Sequence, residues 1–203
     1  MSTPLLPAIA RLNLASLVTS TSIALAMAAV LLAHAGKPEA AVTCAAFCLP
    51  CDALDGQVAR RLNQVTEFGG ALDSLADGIA FLVAPALVGA SLVGLDGLGL
   101  AVTIPFVLGG LWRLARFAEV GTQGAGARET FEGVPTPFVA AFFIMLAPLA
   151  ASVGEWGKPL MIAFYLISPL LMCSSLPIPK RGFHTRAMWL CVPAALVALW
   201  VLP

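Results

Sequence analysis

The sequence predicts an all-α integral membrane protein: a polytopic helix bundle with about 6–7 transmembrane helices. Three observations carry this. Of 203 residues, 60% are hydrophobic and only 11% charged. The apolar residues fall in long runs, such as 12–34, that at about 1.5 Å per residue can cross a ~30 Å hydrocarbon core. The charges gather in a few short breaks between those runs. The formal net charge is zero, so no overall basic character points to nucleic acid, and any electrostatic argument rests on where the charges lie.

Taken in order, residues 1–12 are short and mixed, with two prolines and Arg11, and fit an interfacial segment. The run 12–34 outlasts a typical ~7–15-residue signal-peptide core and lacks a basic lead, so it is assigned as the first spanning helix. Gly36 to Glu39 forms a turn, and a second helix runs from about Ala40 to Arg61. After a polar break at Asn63–Glu67, a third helix spans Phe68 to about Leu92. A turn at Gly94–Gly99 precedes a fourth helix reaching about Val120, which ends in Arg113-Leu-Ala-Arg116-Phe117. Gly121–Gly133 reads as a polar, glycine-rich loop. Further helices are expected at about 137–152, 159–176 and 188–202, with a charged, proline-broken loop at Pro177–Arg186. No internal repeat stands out, and residues 1–203 are treated as a single membrane-embedded domain.

Basic residues set the orientation. With the N-terminus cytoplasmic, Arg11, Arg60, Arg61, Arg113, Arg116, Arg128, Lys180, Arg181 and Arg186 lie on or near that side, against only Lys37 and Lys158 opposite. Trp112, Trp156, Trp189 and Trp200 are placed near helix ends as interfacial anchors. The five cysteines, Cys44, Cys48, Cys51, Cys173 and Cys191, are read as small thiols packing between helices, since no second C-x-x-C accompanies Cys48–Cys51. His34 and His184 receive no function.

The chemistry concentrates between Asp52 and Asp77. Asp52, Asp55, Asp73 and Asp77 are spaced by three and four within each pair, which on helices puts each pair on one face. Ionisable groups are costly at membrane depth. Arg60 and Arg61 are too few to neutralise four carboxylates, which would repel one another. A divalent-metal site is the simplest account, because carboxylate oxygens suit Mg²⁺, Mn²⁺ or Ca²⁺. Gly56 and Gly69 weaken their helices by about 1 kcal/mol each relative to alanine, which fits either close approach of a ligand or tight helix packing. Ala59 keeps the same face small, and Arg60 offers a planar fork to phosphate oxygens.

The pattern Asp52-x2-Asp55-Gly56-x2-Ala59-Arg60-x8-Gly69-x3-Asp73-x3-Asp77 resembles the signature of the CDP-alcohol phosphatidyltransferase family at all eight fixed positions. That resemblance implies that Asp52, Asp55 and Asp73 ligate metal, that Asp77 is the catalytic base and also sits at the metal, and that Gly56, Ala59, Arg60 and Gly69 line the CDP site with Asp52, Asp55 and Asp73. It implies two Mg²⁺ or Mn²⁺ ions, a CDP-diacylglycerol donor, release of CMP and a homodimer, while the basic-residue distribution puts the site on the cytoplasmic side of an inner or plasma membrane.

Further stretches resemble the serine-using members of that family, phosphatidylserine-forming enzymes. They are Val83-Ala-Pro-Ala86, Arg113-Leu-Ala-Arg116-Phe117, Phe131-Glu-Gly-Val-Pro135-Thr-Pro137 and the segment ending at Pro179-Lys180. The chain departs from that subfamily at Thr19, Ser22, Ala80, Leu82 and Ala118. Arg113 and Arg116 are candidate acceptor-binding residues for the carboxylate of L-serine, or else anchors or readers of the lipid phosphate. Glu129 and Glu132 are weighed as ammonium partners against simple solvated loop acids. The nearest rival keeps the chemistry and changes a substrate: glycerol phosphate or inositol phosphate as acceptor, or an archaeal ether-lipid donor. A transporter using intramembrane aspartates is disfavoured, because the charges cluster at one interface and no second half mirrors the first.

Overall fold

The computed structural model of the protein describes residue 6 and residues 8–121, 130–179, 192–193 and 196–197. A short 3₁₀ turn, Ile9–Arg11, precedes α1, Leu14–His34. The helices α2, Pro38–Arg61, α3, Glu67–Leu92, and α4, Gly97–Val120, follow with short connections. Strand β1, Thr130–Glu132, leads into α5, Thr136–Ser152, then α6, Gly157–Met172, and strand β2, Pro177–Pro179. Three of these helices, α1, α3 and α4, are long and apolar enough to cross a membrane. With α2 at 24 residues and the apolar α5 and α6 beside them, the chain is a polytopic membrane helix bundle.

The helices alternate in direction, and contacts at both ends show it. At one end the Asn13 amide donates to the Gln64 carbonyl at 3.1 Å, tying the start of α1 to the α2–α3 turn. At the other the Ser91 hydroxyl donates to the Ala33 carbonyl at 3.2 Å, joining the ends of α3 and α1. The terminal signals are local. Asn13 caps α1 by accepting from the Ser16 N–H at 2.9 Å, Pro38 opens α2, and Thr66 caps α3 by accepting from the Gly69 N–H at 3.0 Å.

Helices α1 and α2 pack along their lengths through small residues. Ala15, Ser16, Thr19, Ser22, Ala26 and Ala29 on α1 meet Ala41, Val42, Ala45, Ala46 and Cys48 on α2. Where lipid is as apolar as the side chains, close backbone approach replaces the hydrophobic effect as the source of association, and small residues permit it. Helix α1 also lies against α3, so it braces both helices that carry aspartates.

In the middle of the bundle α3 widens into one π turn, Ile79–Val83, immediately beyond Asp77 and Gly78. Pro85, which has no N–H to donate, stands where the α-helix resumes. The fully buried Tyr165 of α6 donates its hydroxyl to the Pro85 carbonyl at 2.9 Å, and its ring packs 5.2 Å from that of Phe106 on α4. Gly89 makes this approach possible, since a Cβ there would collide with the Tyr165 hydroxyl and the Phe143 ring.

Several sequence expectations need correction. The segments around Phe131 and Ile178, expected as loops, pair as a short antiparallel ladder with Phe131 opposite Ile178. Three residues are too few to display strand periodicity, and the prolines of β2 mark it as an edge. Helix α6 stops at Met172, short of the expected Leu176, because the chain turns there into β2. Trp112 sits in the interior of α4, not at its end, and Cys173 is exposed. The expected seventh helix lies largely outside the described residues, and so do Arg128, Glu129, Lys180, Arg181, His184, Arg186, Trp189, Cys191 and Trp200.

Candidate active site

The last three turns of α2 and the first three of α3 meet at one end of the bundle. Asp52 and Asp55, three residues apart on α2, and Asp73 and Asp77, four apart on α3, face the space between. One carboxylate oxygen from each of Asp52, Asp55 and Asp73 lies within 4.8 Å of the others. A hydrogen bond between side chains links Asp52 to Asp77, which brings the fourth carboxyl into the same group. Oxygens bound to one divalent ion at about 2.0–2.6 Å stand no more than about 4–5 Å apart, so the spacing suits such an ion without rearrangement of the backbone. The donor set is hard oxygen throughout, matching Mg²⁺ or Mn²⁺ over softer metals. The three carboxylates together make a dense negative cluster for a cation to neutralise.

A cleft of about 170 Å³ opens beside the cluster, lined by Asp55, Gly56, Ala59, Arg60, Gly69 and Asp73. Of the residues expected to hold the nucleotide, all but Asp52 line this cleft. The two glycines act differently from each other. A Cβ on Gly56 would sit 3.3 Å from the nearer guanidinium nitrogen of Arg60, so the missing side chain gives Arg60 room to fold back along α2 over the cleft. A Cβ on Gly69 would press to 3.1 Å from the Thr66 hydroxyl, so that glycine lets the α3 cap form.

On the other side of the cluster, Arg113 of α4 lies near enough to Asp77 to interact through charge. Arg113 is 7% exposed, its guanidinium stands 5.4 Å above the Phe117 ring, and its Nε has no hydrogen-bond partner among the described residues. Arg116, one turn further, is exposed and pairs with Glu132 of β1, Nε donating to the carboxylate at 2.9 Å and Nη2 at 2.5 Å. The two arginines line a second cleft of about 120 Å³ with Glu132, Cys173 and Ser174. They do not present themselves as one matched clamp: Arg113 is buried beside Asp77, whereas Arg116 is an exposed partner for the strand.

The position of Glu132 follows from local geometry. Gly133 has φ +70, a left-handed conformation that an L side chain adopts only with strain, and a Cβ there would overlap the Met172 carbonyl. Its N–H donates to the Leu176 carbonyl at 2.9 Å, and the Phe117 and Phe131 rings pack at 5.7 Å. These contacts fasten β1 across the end of α4.

The lengthwise identity of the chain is as specific as its site. A family model described as CDP-alcohol phosphatidyltransferase matches residues 12–200. The chain belongs to the CDP-alcohol phosphatidyltransferase family. This phosphatidyltransferase is 34% identical over 192 residues to the CDP-diacylglycerol--serine O-phosphatidyltransferase of Mycobacterium tuberculosis, covering 92% of the chain and 67% of that protein. It is 35% identical over 171 residues to the Helicobacter pylori protein of the same name, covering 81% and 71% respectively. The Saccharomyces cerevisiae protein of that name matches at 39% over 101 residues, 47% of the chain and 37% of its own length.

Sequence reasoning missed the wall contributed by α1. Asn13, Ser16 and Thr19 line the first cleft, and the Thr19 hydroxyl donates to Asp55 at 2.6 Å. The signal was present, since Asn13, Ser16 and Thr19 recur at intervals of three and so share one face at the start of α1. Gln64 and Thr66 of the α2–α3 turn also border that cleft, and Glu132, a candidate ammonium partner in the sequence, is instead paired with Arg116.

Proposed function

We propose that the protein transfers a phosphatidyl group from CDP-diacylglycerol to L-serine, giving phosphatidylserine and CMP. The observation that carries this reading is the convergence of four carboxyls from α2 and α3, two of them lining a cleft with Arg60 and another, Asp77, close enough to Arg113 to interact through charge. The names of the matched relatives support serine as the acceptor.

In this reading Asp52, Asp55, Asp73 and Asp77 would hold two Mg²⁺ or Mn²⁺ ions, which would supply positive charge to neutralise the pyrophosphate oxygens. Gly56, Ala59 and Gly69 offer a low wall for the nucleotide beside the aspartates, and the Arg60 fork meets phosphate oxygens. Arg113, with Arg116 at the cleft mouth, receives the serine carboxylate and directs the hydroxyl toward Asp77. Asp77 takes the hydroxyl proton as the serine oxygen bonds to the lipid-linked phosphorus. The bond from that phosphorus to the bridging oxygen breaks, and its electron pair leaves on CMP. Catalysis of this kind rests mainly on positioning and charge neutralisation, which suits a site built on rigid helix ends.

The distribution of basic residues supports a cytoplasmic N-terminus and active site, and the packing of the described helices against one another supports a single domain. The homodimer rests on family resemblance alone.

The test is CMP release by detergent-purified protein with Mn²⁺ and CDP-diacylglycerol, with and without L-serine, and with Asp77→Asn as control. Serine-dependent release that disappears in the variant is the expected result. Release that requires glycerol phosphate or inositol phosphate instead would overturn the acceptor and leave the carboxylate chemistry standing.

A further inference from the structure

We propose that Thr19 is a positioning residue for Asp55: its hydroxyl, on a different helix, fixes the carboxylate in the orientation that the metal cluster requires. The inference rests on the reading of Asp55 as a metal ligand given above. Thr19 lies 36 residues away in sequence, and its Oγ1 stands 2.6 Å from Asp55 Oδ2. Both residues are almost sealed from outside, at 4% and 5% exposure.

The direction of the proton follows from the two neighbours of the hydroxyl. Thr19 Oγ1 is also 3.1 Å from the Ala15 carbonyl, one turn back in α1. A hydroxyl has one hydrogen, neither neighbour donates one, and the charged acceptor at the shorter distance takes it. The contact with Ala15 follows the i−4 pattern of helical threonines, and the β-branch leaves few rotamers, so the hydroxyl is held stiffly before any ligand arrives. With Oδ2 tethered this way, rotation of the Asp55 carboxylate about its last bond is set by α1 instead of by α2, which carries it.

Such a tether has a purpose specific to this site. Among the described residues Thr19 is the only side chain in hydrogen-bond contact with Asp55, and Asp55 shares the cluster with Asp52 and Asp73. Three carboxylates brought within 4.8 Å repel one another, and an untethered one can swing away from the others. A neutral donor opposes that swing without adding a cation that would compete with the metal. Partners of this kind behind metal ligands typically govern about 10–100-fold in metal affinity or activity.

The test uses the full chain in detergent and reads Mn²⁺ binding directly, from the electron paramagnetic resonance of free Mn²⁺, beside the thermal midpoint of the metal-free protein. Thr19→Val keeps the shape and removes the hydroxyl, Thr19→Ser restores the hydroxyl on a smaller side chain, and Asp55→Asn marks the loss of the ligand itself. The expected result is Mn²⁺ affinity weakened about 10-fold or more in Thr19→Val and recovered in large part in Thr19→Ser. Affinity lost in Asp55→Asn but unchanged in Thr19→Val would overturn the role of Thr19 alone, and a lower metal-free midpoint with unchanged affinity would assign it to stability. Mn²⁺ binding that is absent in the unaltered protein, or indifferent to Asp55→Asn, would overturn the ligand reading and this inference with it.

Discussion

Arg113 offers the sharpest separation between binding of the acceptor and binding of the donor. It is buried at 7% exposure beside Asp77, and its Nε lacks a partner among the described residues, whereas Arg60 borders the opposite cleft. If the serine carboxylate occupies this guanidinium, replacing Arg113 with Met removes a charge-assisted hydrogen bond while keeping most of the buried stem. Such bonds contribute roughly 1.5–3 kcal/mol, and at about 1.36 kcal/mol per tenfold the loss in kcat/KM for serine is about 10–150-fold. Arg113→Lys keeps the charge and loses the planar fork, so its loss should fall between those of the parent and the Met variant. The contact with the Phe117 ring at 5.4 Å is desolvated and worth about 2 kcal/mol, so the thermal midpoints of both variants are read beside their kinetics. The assay is CMP release with serine and CDP-diacylglycerol varied in turn. The reasoning fails if both variants leave the serine KM unchanged, or if they raise the KM of the two substrates equally.

Two other substitutions probe the donor cleft and the core. Gly56→Ala should raise thermal stability by up to about 1 kcal/mol through helix propensity while raising the KM for CDP-diacylglycerol, because the new methyl stands 3.3 Å from an Arg60 nitrogen and pushes that fork aside. Activity and midpoint rising together would refute the role given to Arg60. Tyr165→Phe removes the hydroxyl donated to the Pro85 carbonyl at 2.9 Å and leaves that carbonyl buried, which should lower unfolding stability by about 1–3 kcal/mol with little change in either KM. Thermal denaturation in detergent measures it, and an unchanged midpoint would show that the helix bonds of α3 already satisfy the carbonyl.

The amino-acid sequence by itself determined the class of fold, the helices that carry the aspartates and the pairing of those aspartates on two faces. Apolar runs long enough to span a bilayer have few alternatives to helices, because every backbone group in hydrocarbon must be paired internally. Spacings of three and four then place Asp52 with Asp55 and Asp73 with Asp77 whatever surrounds them. The caps at Asn13 and Thr66 are equally local.

Only the tertiary structure decided which residues complete the site. Thr19 meets Asp55 across 36 positions because small residues let α1 close on α2, and nothing local to either residue specifies that contact. Arg113 and Arg116 occupy adjacent turns of one helix, yet one is buried beside Asp77 and the other is drawn outward to Glu132. That division depends on where β1 lies, and β1 is held by a partner strand that begins 45 residues later in the chain, behind two intervening helices. Local spacing fixes which side chains share a face, because a helix repeats on its own bonds. What each face meets depends on the packing of segments far apart in the chain, and that is written in no single stretch of it.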